Sequence, residues 1–132
     1  MSAVVVVDDD PLLRETIATA LTRAGHEVRT AEDGRKALEQ LAAWPADVVV
    51  LDILMPGQEG IETIMTLRRR PDPPLIIAMS GAGILGKMDF LGAAARLGAD
   101  HTLAKPFTPK LLLEVIERGL AARRSSAKDD GN

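Results

Sequence analysis

Two runs of aliphatic residues stop abruptly at acid. Val4-Val5-Val6-Val7 leads into Asp8-Asp9-Asp10, and Val48-Val49-Val50-Leu51 leads into Asp52, followed by Ile53-Leu54-Met55-Pro56-Gly57. An unbroken apolar run, rather than an alternating one, marks a strand covered on both faces. Each acidic group therefore falls at the carboxyl end of a buried strand. Ala3–Val7 and Val48–Leu51 are the predicted first and third strands. A short second strand is expected over His26–Thr30, a fourth over Leu75–Met79 and a weaker fifth over Ala99–Ala104.

Between these runs the apolar period changes from continuous to helical. Asp10-Pro11 offers an N-cap and a first-turn proline, and Leu13, Ile17, Ala20 and Leu21 then share one helix face, closed at Gly25. Ala37, Leu38, Leu41 and Ala42 mark a second helix after the Asp33-Gly34 turn, stopping near Trp44-Pro45. Ile61, Ile64, Met65 and Leu67 mark a third, closed by Arg68-Arg69-Arg70-Pro71. Phe90–Leu97 carries a fourth, and Thr108-Pro109 opens a last one through Leu111, Leu112, Val115, Ile116 and Leu120. Strands alternating with helices predict an α/β fold with a doubly wound parallel sheet and helices on both faces. Right-handed crossovers leave few topologies, and five units suit the strand order 2-1-3-4-5. In that order the first and third strands are neighbours, so Asp8, Asp9 and Asp52 meet at the switch point. One domain is expected over residues 1–122, with no DNA-binding or enzymatic module after it. Residues 123–132, beginning Arg123-Arg124-Ser125, read as a polar, disordered tail.

Composition narrows the function classes. The chain has 132 residues, 46% apolar and 27% charged, with a net charge of −3. That balance gives no general attraction to nucleic acid or to an anionic membrane. The absence of cysteine excludes disulfides and thiolate metal sites. The first residues lack a basic leader segment, and no apolar run approaches the roughly 20 residues that span a bilayer. A cytoplasmic protein is expected. Trp44, Phe90 and Phe107 are the only aromatics, too few for base stacking.

Three carboxylates at one strand edge repel one another and call for a cation. An oxygen-only donor set suits a hard ion, Mg²⁺ first. Ser80 after the fourth strand adds a hydroxyl, and Lys105 after the fifth adds an ammonium. A carboxylate, a hydroxyl, an ammonium and a divalent cation together can hold a phosphoryl group, with the carboxylate attacking in line. Each residue has a plainer reading taken alone. Asp8 and Asp9 could cap the first helix, but Asp10 already does so. Ser80 could be a turn serine and Lys105 a surface lysine; only the constellation raises them. His26 and His101 read as surface residues, because neither has a partner at metal-ligand spacing.

The chain resembles the response-regulator receiver domain of two-component signalling. The resemblance covers about residues 3–122 and rests on Val7-Asp8-Asp9, Leu51-Asp52-Ile53-Leu54-Met55-Pro56-Gly57, Met79-Ser80-Gly81, Gly98-Ala99-Asp100 and Lys105-Pro106-Phe107, five motifs in order at strand ends. It implies a flavodoxin-like fold and a phosphorylation-dependent switch, not an enzyme acting on other substrates. It implies that Asp52 accepts a phosphoryl group from the phosphohistidine of a sensor histidine kinase or a histidine phosphotransfer protein. Asp9, Asp52 and the main-chain carbonyl of Leu54 then hold Mg²⁺, with Asp8 acting through a water or ligating weakly. Ser80 and Lys105 bind the phosphoryl oxygens, and the bond before Pro106 is cis. Signalling passes to a protein target through the face of the fourth helix, fifth strand and fifth helix. The expected form is a stand-alone regulator or a phosphorelay intermediate.

Three positions depart from the family pattern. Thr102 stands where a receiver commonly has an aromatic switch residue. The stretch from Ser80 to Lys105 is longer than usual and holds Gly81, Gly83 and Gly86, so an enlarged, mobile loop is expected before the fourth helix. Leu54 and Ala82 replace residues that orient a hydrolytic water, which implies slow self-dephosphorylation. A small Mg²⁺-dependent phosphohydrolase is the rival reading, but it wants an acid where Leu54 stands. A flavin binder wants a phosphate cradle where Asp8-Asp9-Asp10 would repel phosphate. A receiver-like binding module that does not use phosphate is the last alternative.

Overall fold

The structure is a computed structural model that describes residues 2–53, 59–81 and 90–130. Its elements run β1 (Ala3–Val7), α1 (Pro11–Arg23), β2 (Glu27–Ala31), α2 (Gly34–Ala43), β3 (Val48–Asp52), α3 (Glu59–Arg68), β4 (Leu75–Ser80), α4 (Phe90–Leu97), β5 (His101–Ala104) and α5 (Pro109–Asp130). The five strands form one parallel sheet in the order β2-β1-β3-β4-β5.

The valine runs become central strands because both of their faces are covered. Val5, Val7, Val49 and Leu51 pack with Ala37, Leu41, Ile64, Leu67 and Ala94, beneath α2, α3 and α4. Val4, Val6, Val48 and Val50 pack with Ile17, Leu21, Leu112 and Ile116, beneath α1 and α5. Alternate side chains enter opposite cores, as the two-residue period of a strand requires. Every side chain of β3 and β4 is buried.

Register carries the strand ends to one edge. Val7 lies opposite both Ala31 and Leu51, Asp52 opposite Met79, and Ser80 opposite Ala104. The residues that follow β1 and β5, Asp8 and Lys105, therefore emerge level with Asp52 and Ser80.

β2, β3 and β4 each run one residue past the sequence pattern, to Ala31, Asp52 and Ser80, and three further boundaries differ. β2 begins at Glu27 rather than His26, because the His26 amide donates to Leu21 O at 3.1 Å and so completes the end of α1, with Gly25 at φ +99°. β5 begins at His101 rather than Ala99, because the Ala99 amide donates to Ala94 O at 2.9 Å and still belongs to the close of α4. Residue 122, the expected end of the domain, falls inside α5, which continues to Asp130 where a disordered tail was expected from residue 123. Residues 123–130 contain no glycine or proline to break the helix, and Arg123 anchors it: its guanidinium donates to Pro73 O at 2.8 Å and to Pro74 O at 3.0 Å. His26 and His101, expected at the surface, are half-buried. The glycine-rich stretch with Gly83 and Gly86 lies outside the described residues.

Candidate functional site

The site is built by the abruptness of the β1–α1 junction. The Asp10 side chain caps α1, accepting from Leu12 N at 3.0 Å and Leu13 N at 3.4 Å, and Pro11 takes the first helical position. Only Asp8 and Asp9 separate the end of the strand from that cap. Asp8 is fully buried: its Oδ1 accepts from Asp10 N at 2.9 Å, and its own amide donates to Ala31 O at 3.2 Å. Asp9 is exposed.

Asp52 is the last residue of β3 and is 5% exposed. It continues the alternation of Val48 and Val50, whose side chains enter the core under α1 and α5. Asp8 continues the same alternation from Val4 and Val6, and Lys105 continues it from Leu103. The Lys105 ammonium meets both acids, 3.1 Å from Asp8 Oδ2 and 3.1 Å from Asp52 Oδ2. Its main-chain amide donates to Ser80 O at 2.9 Å, and the Lys105–Pro106 bond is cis. Burial on its own would lower the lysine pKa. The charge of Asp52, the hydrogen bond to Asp8 and the remaining attraction of the two acids outweigh it and hold the pKa above the ordinary lysine value.

Asp8, Asp9 and Asp52 each offer a carboxylate oxygen, and these lie within 4.8 Å of one another. Three hard oxygen donors from three residues, with one ammonium shared by two of them, fit a small divalent cation such as Mg²⁺. Ser80 closes β4 and is fully buried. Thr102 lies on β5 opposite Ala78 and is exposed, outside the cluster. Leu54, whose carbonyl is expected to complete the ligand set, and Ala82 lie outside the described residues.

Two residues bear on the site that the sequence pattern did not single out. Arg14, in α1, donates from Nη1 to the main-chain oxygen of Asp8 at 2.7 Å. Gly60, in the first turn of α3, lies flush against the exit of β3: a Cβ there would stand 2.5 Å from Ile53 Cα and 2.8 Å from the Asp52 carbonyl oxygen. The faint signals were a cation near a helix start and a glycine inside a helical pattern.

Comparison with known proteins agrees with the family named by the motifs. The family model for the response regulator receiver domain matches residues 4–117. Response regulator MprA of Mycolicibacterium vanbaalenii is 36% identical over 129 residues, covering 97% of this chain and 53% of that protein. NtrX from Brucella abortus superposes with a TM-score of 0.88 at 28% identity, over 98% of this chain and 29% of that one. The chemotaxis response regulator CheY4 of Vibrio cholerae gives a TM-score of 0.77 at 31% identity, over 90% of this chain and 98% of that one. The chain spans about half the length of the curated relatives it matches.

Proposed function

The chain belongs to the response-regulator receiver family, and from that premise we propose that it is a phosphorylation-controlled switch with Asp52 as phosphoacceptor. The observation that carries this reading is the convergence of Asp8, Asp9, Asp52 and the Lys105 ammonium at one sheet edge. A carboxylate oxygen of Asp52 attacks the phosphorus of a partner's phosphohistidine. The P–N bond breaks, its electron pair leaves with the imidazole, and an aspartyl phosphate forms. Lys105, already paired with Asp52, turns its ammonium to the phosphoryl oxygens, and the Ser80 hydroxyl donates to them. Asp9, Asp52 and the main-chain carbonyl of Leu54 would hold Mg²⁺, with Asp8 acting through a water, and the ion supplies charge neutralisation at the phosphoryl oxygens.

The donor is a sensor histidine kinase or a histidine phosphotransfer protein. The signal passes by protein contact through the face of α4, β5 and α5, without nucleic acid or membrane. With Thr102 in place of an aromatic, the switch does not run through the rotamer of a large ring. We place this action in the cytoplasm, where a phosphohistidine donor of this kind would meet it; no helix among the described residues is long and apolar enough to cross a membrane. Leu54 and Ala82 offer no side-chain hydrogen bond to a hydrolytic water, so the adduct should persist for many minutes; decay within seconds would contradict this.

The test is intact mass after incubation with Mg²⁺ and acetyl phosphate, beside Asp52→Asn, with a beryllofluoride thermal shift in parallel. One phosphoryl adduct in the wild type alone is the expected result. No adduct and no Mg²⁺-dependent shift would sink the reading. Steady turnover of a chromogenic phosphate ester would favour the phosphohydrolase instead.

A further inference from the structure

The two strand-end aspartates are unequally bound. Asp8 has its amide, both carboxylate oxygens and its carbonyl engaged: by Ala31 O at 3.2 Å, Asp10 N at 2.9 Å, Lys105 Nζ at 3.1 Å and Arg14 Nη1 at 2.7 Å. Asp9, the next residue, is exposed. The backbone that sets the direction of the exposed Asp9 side chain enters through the Asp8 carbonyl that Arg14 grips.

The position of Arg14 is specific. It sits four residues into α1, where the Cα–Cβ bond inclines toward the start of the helix and carries a long side chain back over the β1–α1 turn. A cation so near a helix N-terminus opposes the macrodipole. Its half-buried guanidinium instead rests on a main-chain carbonyl six residues back.

We propose that Arg14 is a positioning residue for cation uptake. It acts through the main chain of Asp8, holding the turn that keeps the Asp9 carboxylate beside Asp52. This rests on the reading of the cluster as a Mg²⁺-dependent phosphoacceptor site. The sign of the effect separates a tether from a mere charge. A positive group beside a cation site repels the cation, so loss of charge alone would tighten Mg²⁺ binding. Loss of the tether weakens it.

The experiment is a Mg²⁺ titration of the wild type, Arg14→Ala, Arg14→Gln and Arg14→Lys. It is read by the Mg²⁺-dependent rise in melting temperature, with stability in Mg²⁺-free buffer measured beside it. Arg14→Ala should bind Mg²⁺ about tenfold more weakly, the scale of loss when a partner behind a metal ligand is removed. Arg14→Lys, which keeps a long cationic donor at this position, should recover part of that loss, more than Arg14→Gln does. Unchanged or tighter binding in Arg14→Ala overturns the inference, as does lower stability at unchanged Mg²⁺ affinity. Should Arg14→Ala fail to fold, Arg14→Gln decides in the same way: its amide falls short of the carbonyl, so weaker binding supports the tether and unchanged binding overturns it. A wild type with no Mg²⁺ response removes the site reading and this inference with it. A responding wild type beside an unaltered variant removes this inference alone.

Discussion

At the amino edge of the sheet, two aspartates are engaged by main-chain amides. Asp47 Oδ2 accepts from Ala3 N at 2.8 Å, and Asp100 Oδ2 accepts from Ile76 N at 2.8 Å. Arg68 and Arg123 then close over Asp100 at 3.5 and 3.6 Å. At the carboxyl edge the same residue type is left needing charge. Asp8 and Asp52 both bond the ammonium of Lys105, and Asp9 stands exposed beside them. The amino edge joins α3, β4, β5 and α5 into one assembly. The carboxyl edge concentrates negative charge, an arrangement compatible with a cation. Asp alone therefore says nothing of function; its partners decide.

The contrast breaks most visibly at the amino edge. Asp100→Ala should cost about 2 kcal/mol in chemical denaturation, because it strips a charged partner from the Ile76 amide. The two long, partly exposed arginine contacts add little to that. Phosphorylation by acetyl phosphate should be unaltered; an equal loss of both would mean that the edges are not independent. Gly60→Ala, by contrast, presses a Cβ into the backbone of Asp52 and Ile53. A cost of about 1–2 kcal/mol in melting experiments is expected from overpacking, and here the phosphorylation rate should fall with it.

Asp9→Asn should separate the edges in the other direction. Removing one of three crowded negative charges should leave the melting temperature equal or higher while abolishing the Mg²⁺-dependent shift. A clear drop in stability would mean that Asp9 holds the fold. The smallest effect is alkaline. The folded Lys105 pKa lies above its ordinary value, so its contribution to stability is complete below about pH 10.4 and lost as pH rises through the higher folded value. Melting curves from about pH 9 upward should show that loss in the wild type and a weaker one in Lys105→Met.

Much of this was legible because burial on both faces leaves an unbroken apolar run. Val4–Val7, Val48–Leu51 and Leu75–Met79 announced central strands, and the first polar residue after each fell at the edge where the acids gather. The amino edge was less legible. Asp100 was readable as part of a motif but not as the acceptor for Ile76, Arg68 and Arg123, since those bonds join residues 23 to 32 apart. The reach of α5 past residue 122 was hidden for the same reason: charged and small residues suit helix and coil alike, and the Arg123 anchor lies some 50 residues from its acceptors. Arg14 was not singled out in the sequence, because its bond crosses from a helix back to Asp8, the first residue after β1.

The side-by-side register of β1, β3, β4 and β5 has a hereditary consequence. Side chains alternate with a period of two, so sliding β3 by one residue would turn Asp52 toward the opposite core and move every valine with it. One aliphatic residue can replace another in these runs at modest cost, but the gain or loss of a single codon would dismantle the site at once. The strands and the β1–α1 turn are open to drift in spelling and closed to change in length, whereas the turns at the amino edge of the sheet, away from the cluster, can lengthen or shorten without disturbing the alignment of the acids.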